Sequence, residues 1–180
     1  MEESKIQTRQ FLTFQLENET YAFHVLKIKE VLEVPEITKI PKSLPYMAGV
    51  INLRGGIIPL VDLRIKFELP DKEITENSAI IIVEIDYDNE VIQLGALVDS
   101  VKKVIKLNME ELEEPPKVGM TIDNRFIDAL GKFNKKLIII LDSDSLFSHE
   151  ELIKVSNFSE TKTTKVKNVS SKSISQEVRK

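Results

Sequence analysis

The 180-residue chain is long enough for one ordinary domain or two small lobes, and its 42% apolar and 30% charged residues favour a packed core over disorder. It contains no cysteine, which excludes disulfides, thiolate metal sites and cysteine nucleophiles. The net charge of −4 is uneven, since residues 1–150 carry −8 and residues 151–180 carry +4. A folded body this acidic is a poor partner for a phosphate backbone, so we expect no nucleic-acid binding.

The N-terminal segment "MEESKIQTRQ" is polar and lacks the apolar centre of a secretory signal. No apolar run approaches the roughly 18 residues of a membrane span. We therefore expect a cytoplasmic protein with no direct membrane insertion.

The first third of the chain reads mainly as strands. Apolar residues alternate over 11–16 and 21–23, which predicts a hairpin with its turn at 18–19. From Val25 the apolar spacing lengthens to a helical period, which predicts one helical turn before another strand. Prolines 35, 41 and 45 then predict a loop, and "PYMAGVI" (45–51) is interpreted as a short helix because proline suits a first turn.

The remaining two thirds repeat this character. "AIIIVEIDY" (79–87) is predicted to be a strand that is buried on both faces where it begins, and the next strand contains Gly95, which favours a bulge or bend. Segments 126–130 and 137–141 predict a further hairpin. Two capping boxes, at 108–111 and 148–151, predict a brief helix and a C-terminal helix that fades near Asn157.

Two pairs of segments suggest an internal repeat. "IKEVLEV" (28–34) and "VKKVIKL" (101–107) share their apolar spacing at an offset of 73 residues. Each is followed by a glycine-containing segment and an aliphatic strand that ends in aspartate, "IIPLVD" (57–62) and "LIIILD" (137–142). Short bent strands in duplicate predict two small barrels side by side, with a groove between them.

The residues that carry chemistry do not form a catalytic or metal-binding pattern. The two histidines, His24 and His149, lack a neighbouring serine–acid signature. Asp142 and Asp144 lack the glycine and distal glutamate of a calcium loop, and no phosphate-binding glycine motif is present. We therefore predict a non-enzymatic binding module without a metal or cofactor.

One stretch stands apart, "INLRGGIIPLVD" (51–62), in which Arg54 interrupts two apolar runs. A turn needs the glycines that follow, but it does not need an arginine. Held at the tip of a turn, the guanidinium can bind a partner carboxylate through two hydrogen bonds. The alternative is a local role in which Arg54 ties down its own loop, with Asp62 as the intrachain partner.

Residues 10–67 resemble the CheW family, an adaptor of bacterial chemotaxis. The resemblance rests on "FLTFQLENETYAFHVLKIKEVLEV" followed by "LPYMAGVINLRGGIIPLVDLRIKF", and it continues more weakly through "LGALVDSVKKVIKL" and "FIDALGK" to about Glu151. It implies a mainly all-β fold of two tandem five-stranded SH3-like barrels with short helices and a C-terminal helix. It also implies a scaffold that links methyl-accepting chemoreceptors to the histidine kinase CheA through the kinase's regulatory domain, in receptor arrays at the membrane.

The resemblance assigns three sets of residues. Those matching the receptor-contacting stretch are Val25, Ile28, Glu30, Val31, Val101 and Val104. Those matching the part that couples to the kinase are Asn52, Arg54 and Ile57. Those matching structural turn glycines are Gly49, Gly55, Gly95 and Gly131. Helical spacing of Val25, Ile28 and Val31 is equally consistent with one wall of a receptor groove and with ordinary core packing.

These observations define the expected organisation of the chain. Residues 1–151 are expected to form a CheW-like domain with lobes at roughly 16–79 and 80–147, the first strand being a candidate for pairing with the second lobe. Residues 152–180 are expected to hold the end of the helix and a disordered basic tail. The alternative function is a small-barrel module that binds nucleic acid or a small ligand.

Overall fold

A computed structural model describes residues 7–117, 119 and 122–156 of the chain. Ten strands dominate the described residues. They are β1 (Thr8–Leu16), β2 (Glu19–His24), β3 (Ile28–Glu33), β4 (Met47–Leu53), β5 (Gly56–Asp62), β6 (Ala79–Tyr87), β7 (Glu90–Val98), β8 (Ser100–Asn108), β9 (Ile127–Phe133) and β10 (Lys136–Leu141). The helices are α1 (Leu63–Lys66) and α2 (149–156), with 3₁₀ turns at Val25–Lys27, Met109–Glu111, Asn124–Phe126 and Ser143–Ser145.

The strands form two curled five-stranded sheets, as the predicted pair of SH3-like barrels requires. The first barrel has the strand order β3-β6-β7-β5-β4, and the second has the order β8-β1-β2-β10-β9. Each barrel contains one parallel pair, β5 with β7 and β10 with β2. The two barrels have the same topology. Strands β3 and β8 occupy equivalent positions in them, as do β5 and β10, so the internal repeat predicted from the sequence is confirmed in three dimensions.

The sheets divide the chain differently from the expected lobes of 16–79 and 80–147. Strands β6 and β7 belong to the first barrel, whereas β1 and β2 both belong to the second. Strand β6 pairs with β3 and β7, and its aliphatic residues are buried on both faces because one face lines the first barrel and the other lines the core between the barrels. The chain crosses between the sheets twice, first through the 3₁₀ turn Val25–Lys27 between β2 and β3, and again at Asp99 between β7 and β8.

Period-two alternation divides the apolar residues among three cores. In β1, Phe11 packs inside the second barrel, while Leu12, Phe14 and Leu16 pack in a core shared by both barrels. Strand β6 behaves in the same way, since alternate residues face the interior of the first barrel and the shared core. The shared core therefore joins the barrels by continuous apolar burial.

Two local expectations were wrong. The segment "PYMAGVI" contains a strand, β4, because its residues pair along β5 and its Val50 exchanges two hydrogen bonds of 2.9 Å with Thr38. The expected bulge at Gly95 is not formed, since β7 pairs with β6 without a register shift. A Cβ atom at this position would lie 3.0 Å from both Ile80 and Leu60, so Gly95 serves close packing.

A buried ionic network lies at the junction of the barrels. The Arg64 side chain is 3% exposed and donates to Asp62 at 2.9 and 3.0 Å and to Asp99 at 3.3 Å. The Asp99 carboxylate also accepts from the backbone N–H of Glu17 in the second barrel, at 2.8 Å. Asp99 therefore accepts hydrogen bonds from the Arg64 side chain, which follows β5 of the first barrel, and from the Glu17 backbone, which follows β1 of the second. It does so where the chain passes from β7 to β8.

Helix α2 closes the described part of the chain. Its predicted capping box is confirmed, since the Ser148 N–H donates to the Glu151 carboxylate at 2.7 Å and the Glu151 N–H donates to the Ser148 hydroxyl at 3.2 Å. The Lys66 ammonium bonds Glu151 at 3.0 Å and lies over three aromatic rings. These rings belong to Tyr46, Phe126 and Phe147. The predicted tail beyond residue 156 lies outside the described residues.

None of the helices formed by the described residues has both the length and the apolar character needed to cross a membrane.

Candidate functional site

The Arg54 turn is a two-residue hairpin loop between β4 and β5. Leu53 pairs with Gly56, so Arg54 and Gly55 form the loop, with φ angles of 50° and 82°. Positive φ at both positions is the geometry that joins twisted strands most readily. The Asn52 side chain accepts from the Gly55 N–H at 3.1 Å, which holds the loop and presents Arg54 at its tip.

Arg54 forms a two-point ion pair with Glu30, not with Asp62. Its two terminal nitrogens donate to the two Glu30 oxygens at 2.8 and 2.9 Å. Asp62 is buried beside Arg64 and is already bonded there, so the local alternative for Arg54 was wrong in its partner. The hydrogen bonds that Arg54 donates to the Glu30 carboxylate raise the pKa of Arg54, which is charged at any physiological pH.

The ion pair spans the open end of the first barrel. Glu30 lies on β3 and Arg54 follows β4, and these two strands are opposite edges of the sheet. The Arg54 side chain is 71% exposed, whereas that of Glu30 is 20% exposed. Glu30 is therefore the fixed half of the pair, and the guanidinium keeps most of its surface available to a partner.

A pocket of about 400 Å³ lies at this open end, and we call it the first mouth. It is lined by Lys29, Glu30, Leu53, Arg54, Gly56, Ile57, Ile58, Glu90, Val91, Ile92, Gln93 and Ser156. Two of the predicted kinase-coupling residues, Arg54 and Ile57, line it together with the predicted receptor residue Glu30. Val91, which has 58% of its surface exposed, adds an apolar side chain to the lining.

The other predicted receptor residues lie along the rim between the barrels. Ile28 on β3 and Val101 on β8 are half-buried, and both pack against the shared core from opposite barrels. Val31 and Val104 are exposed on the same two strands. The offset of 73 residues pairs Ile28 with Val101 and Val31 with Val104, so the rim is built from equivalent positions of the repeat.

The expected helical wall of Val25, Ile28 and Val31 is not formed. The helical turn ends at Lys27, and from Ile28 the chain is a strand whose residues alternate between half-buried and exposed. The β-bulge between Ile28 and Glu30 nevertheless leaves Ile28 and Val31 on one face of β3, because their partners on β6, Val83 and Ile81, both face the shared core. A groove of about 350 Å³ beside the 3₁₀ turn is lined by Val25, Leu26 and residues of β1, together with His24 and Lys106.

Only one of the four predicted turn glycines lies in a turn, and that is Gly55. The other three lie inside strands β4, β7 and β9. Gly49 has φ of 142°, and a Cβ atom there would collide with the Thr38 carbonyl oxygen. Gly131 resembles Gly95 in that an added Cβ would meet a neighbouring side chain, Leu107, at 2.9 Å.

Both histidines make contacts that support the local fold. The His24 ring accepts from the Leu26 N–H at 3.1 Å and so caps the 3₁₀ turn, and burial lowers its pKa. His149 lies 3.3 Å from the Tyr87 hydroxyl on the exposed side of α2. Within the described residues, no group of three or more histidines and acids is arranged to hold a metal ion.

Sequence reasoning missed three features of these surfaces. Leu26 is 84% exposed, yet its place inside a continuous apolar pattern gave no signal of exposure. Val91 is 58% exposed near the start of β7, and the sequence pattern of that strand gives no signal of its exposure. The pairing of Glu30 with Arg54 joins residues 24 positions apart across a closed barrel, and only the assumption of closure could have indicated it.

The comparisons with known proteins agree with this architecture. The family description "CheW-like domain" matches residues 10–151, most of the described chain. The chain belongs to the CheW family. A chemotaxis protein CheW of Klebsiella aerogenes is 32% identical over 149 residues, which cover 83% of this chain and 87% of that protein. CheW of Bacillus subtilis is 32% identical over 139 residues, covering 77% and 86%.

A solved relative extends the agreement to three dimensions. The crystal structure of the scaffolding protein TtCheW from Thermoanaerobacter tengcongensis superposes with a TM-score of 0.73 at 34% identity, covering 84% of this chain and 95% of that one. This CheW neighbour shares the fold of two SH3-like barrels. Family membership makes the chain a chemotaxis scaffold protein of the CheW type, and the alternative of a nucleic-acid or ligand-binding module is not favoured.

Proposed function

We propose that this protein is a non-enzymatic adaptor that links methyl-accepting chemoreceptors to the histidine kinase CheA in the cytoplasm, within receptor arrays. The observation that carries the proposal is the Arg54–Glu30 ion pair. It joins one residue that the family resemblance assigns to the receptor side with one assigned to the kinase side. A single two-point contact therefore lies between the two candidate surfaces.

The rim between the barrels suits a helical partner. Receptors of this class present a hairpin of helices, and a helix docks by laying an apolar stripe into an apolar groove. Leu26, Val31 and Val104 expose apolar surface on elements that flank the junction of the barrels. Ile28 and Val101 support this surface from below, because both are packed on the shared core.

The first mouth suits the kinase. Its lining combines the half-buried Ile57 and the exposed Val91 with the exposed guanidinium of Arg54. Interfaces commonly place apolar residues at the centre and a charged, bidentate group such as arginine beside them. Glu30 on β3 holds the guanidinium. A partner that displaces Arg54 would therefore also shift β3, on which the receptor-side residues lie.

The test is reconstitution of receptor fragment, CheA and the full chain, with kinase autophosphorylation as the readout. We expect Arg54→Glu and Glu30→Arg each to lower kinase stimulation strongly, because each places like charges together across the first mouth. The double exchange restores the pair in reversed order and is expected to recover binding of the receptor in part. Autophosphorylation that none of the three variants alters would refute this role of the pair.

A second exposed ion pair supplies the matched control. Arg125 and Asp123 lie two residues apart on the surface of the second barrel, with a side chain pairing of the same chemistry. Reversing Arg125 to glutamate changes the net charge as much as Arg54→Glu does. We expect kinase stimulation by this control variant to match that of the unaltered chain.

A further inference from the structure

The second barrel has an open end of its own, which we call the second mouth. A pocket of about 820 Å³ lies there, roughly twice the volume of the first mouth. Its lining comes from β1, β2, β8 and the β9–β10 hairpin. The lining residues are Thr13, Gln15, Asn18, Glu19, Thr20, Lys102, Lys103, Ile105, Phe133, Asn134, Lys136, Leu137 and Ile138.

The two mouths are equivalent positions of the internal repeat. Each lies between the edge strand β3 or β8, a two-residue hairpin loop and the start of β7 or β2. The loop of the second hairpin consists of Asn134 and Lys135, both at positive φ, like the loop that holds Arg54. The two barrels therefore present structurally equivalent openings.

The chemistry of the two mouths differs at the positions that matter most. Where the first mouth pairs Glu30 with Arg54, the repeat places Lys103 and Asn134 in the second. Among the residues that the structure describes, no ion pair spans this opening. The Lys103 ammonium lies instead over the ring of Phe133, 4.8 Å from its centre, in a cation–π contact.

The second mouth concentrates positive charge on an otherwise acidic body. It contains Lys102, Lys103 and Lys136 against the single acid Glu19, whereas residues 1–150 carry a net charge of −8. Among the described residues, these three lysines have no carboxylate within ion-pair distance. A concave surface lined by one sign of charge raises the local concentration of ligands with the opposite sign.

Apolar side chains and a strand edge complete the surface. Leu137, which is 46% exposed, and Phe133 both line the pocket, together with Ile105 and Ile138. Strand β8 is an edge of its sheet and pairs only with β1 among the described strands. An extended segment can add to such an edge through its backbone while its side chains fill the adjoining pocket.

We propose that the second mouth is a docking site for an acidic, extended segment of a partner protein that carries an apolar residue among its acids. The acids meet Lys102, Lys103 and Lys136, and the apolar residue lies against Phe133 and Leu137. The proposal does not depend on the function assigned to the first mouth. It makes the adaptor bivalent through its own repeat, with one mouth closed by an ion pair and the other open to an acidic ligand.

Lysines on an edge strand have a simpler use, since they prevent edge-to-edge aggregation. That role explains Lys102, Lys103 and Lys106, which all lie on β8. It leaves Lys136 on another strand unexplained, and it gives no reason for the exposed apolar lining. Binding of a matched acidic peptide, set against a neutral one, separates the two roles.

The experiment is a titration of the full, ¹⁵N-labelled chain with the peptide acetyl-EDEFLEDE-amide, followed by amide chemical shifts. We expect saturable shifts confined to residues 13–20, 102–105 and 133–138 at up to about 1 mM peptide. The isosteric peptide acetyl-QNQFLQNQ-amide should bind at least about tenfold more weakly, because it loses the charge pairs. Added salt should weaken only the acidic peptide.

Charge reversal in the protein provides the second arm. Lys103→Glu with Lys136→Glu should lower affinity for the acidic peptide by about tenfold or more. The control is Lys39→Glu with Lys154→Glu, which alters the same net charge at exposed positions away from both mouths. If the first pair prevents folding, Lys102→Gln with Lys136→Gln serves in its place.

Several results would overturn the proposal. Shifts that are absent at these amides, equal for the two peptides, or unchanged by the lysine variants each contradict an acidic docking site. Tighter binding of a poly-dT oligonucleotide than of the acidic peptide would reassign the surface to nucleic acid. Loss of kinase stimulation has no bearing on this outcome, because the titration contains neither receptor nor kinase.

Discussion

Replacing Gly49 with alanine would place a Cβ atom against the main chain of the loop that precedes β4. The added atom would collide with the Thr38 carbonyl oxygen and lie 2.9 Å from the Thr38 carbonyl carbon and from the Ile37 side chain. A side chain can rotate away, but a backbone carbonyl can move only with its loop. Gly49 also has φ of 142°, a conformation that residues with a Cβ rarely adopt.

The cost can be built from these contacts. Moving Thr38 breaks its two backbone hydrogen bonds with Val50, both 2.9 Å long, at about 1 kcal/mol each. The strained φ adds about 1–3 kcal/mol. We therefore expect Gly49→Ala to lower the free energy of unfolding by about 3–5 kcal/mol, which corresponds to a fall in Tm of roughly 10 °C for a domain of this size.

Two other glycines in the same hairpin provide the controls. Gly55 also has positive φ, but an added Cβ there meets nothing within 4 Å, so Gly55→Ala should cost only the strain of about 1–2 kcal/mol. Gly56 has ordinary φ and a nearest contact of 3.4 Å, so Gly56→Ala should be nearly neutral. Thermal and urea denaturation of the three variants measure these losses of stability, which should rank Gly49→Ala first, Gly55→Ala second and Gly56→Ala last. A Gly49→Ala chain that is as stable as the Gly56→Ala chain would refute the reasoning.

Three further variants test other parts of the structure. Leu26→Glu should leave Tm unchanged and weaken receptor binding by about tenfold in a pull-down titration, whereas the exposed loop change Ile74→Glu should do neither. Arg64→Met leaves the buried Asp62 carboxylate without a cation and Asp99 with only Lys72 at 3.7 Å, and it should cost about 3 kcal/mol in urea denaturation, so an unchanged midpoint would contradict the buried network. Glu151→Gln should lower Tm at pH 7 through loss of the Lys66 contact, and the difference from the unaltered chain should shrink below pH 4.5 and vanish near pH 2.

The sign of that pH dependence follows from the environment of Glu151. Burial raises its pKa, but the nearby Tyr46 hydroxyl, the Ser148 N–H and the Lys66 ammonium outweigh burial and lower it to about 2, from an ordinary value of 4.5. The Tyr46 hydroxyl itself makes no hydrogen bond of normal geometry, so Ser148 and Lys66 are the partners that matter. A depressed pKa stabilises the fold above pH 4.5, and this contribution is lost as the pH falls towards 2.

Local patterns in the sequence were sufficient for most of the strands and for the repeat. Period-two alternation located the β1–β2 hairpin, and the side chains at 108 and 148 located two caps. The pattern failed where long-range pairing decides the conformation. Residues 45–51 begin with proline and contain alanine, as a first helical turn does, but the partner strand β5 lies on the other side of the hairpin and makes the segment a strand.

The candidate site was predictable only in part for the same reason. The resemblance supplied Arg54 and Glu30 as separate residues, whereas their contact depends on closure of the first barrel. Exposure of Leu26 depends on how the 3₁₀ turn leaves β2, which apolar spacing does not encode. The two mouths differ in charge because the strand order makes Glu30 and Arg54 of the first equivalent to Lys103 and Asn134 of the second, and this equivalence depends on the fold.

The order of the strands ties the candidate surfaces into one cooperative unit. The first two strands of the chain complete the barrel whose other three strands come last, so the second barrel cannot close until residues 100–141 have joined β1 and β2. The first barrel lies between these segments in sequence, and Asp99 fixes the second crossing point through Arg64 and Glu17. Strands β3 and β8 belong to different barrels, so the rim that they form can bind a pair of helices only if the angle between the barrels stays constant. The shared core and the buried network at Asp99 provide that constraint, and loosening the network should weaken receptor binding before it unfolds either barrel.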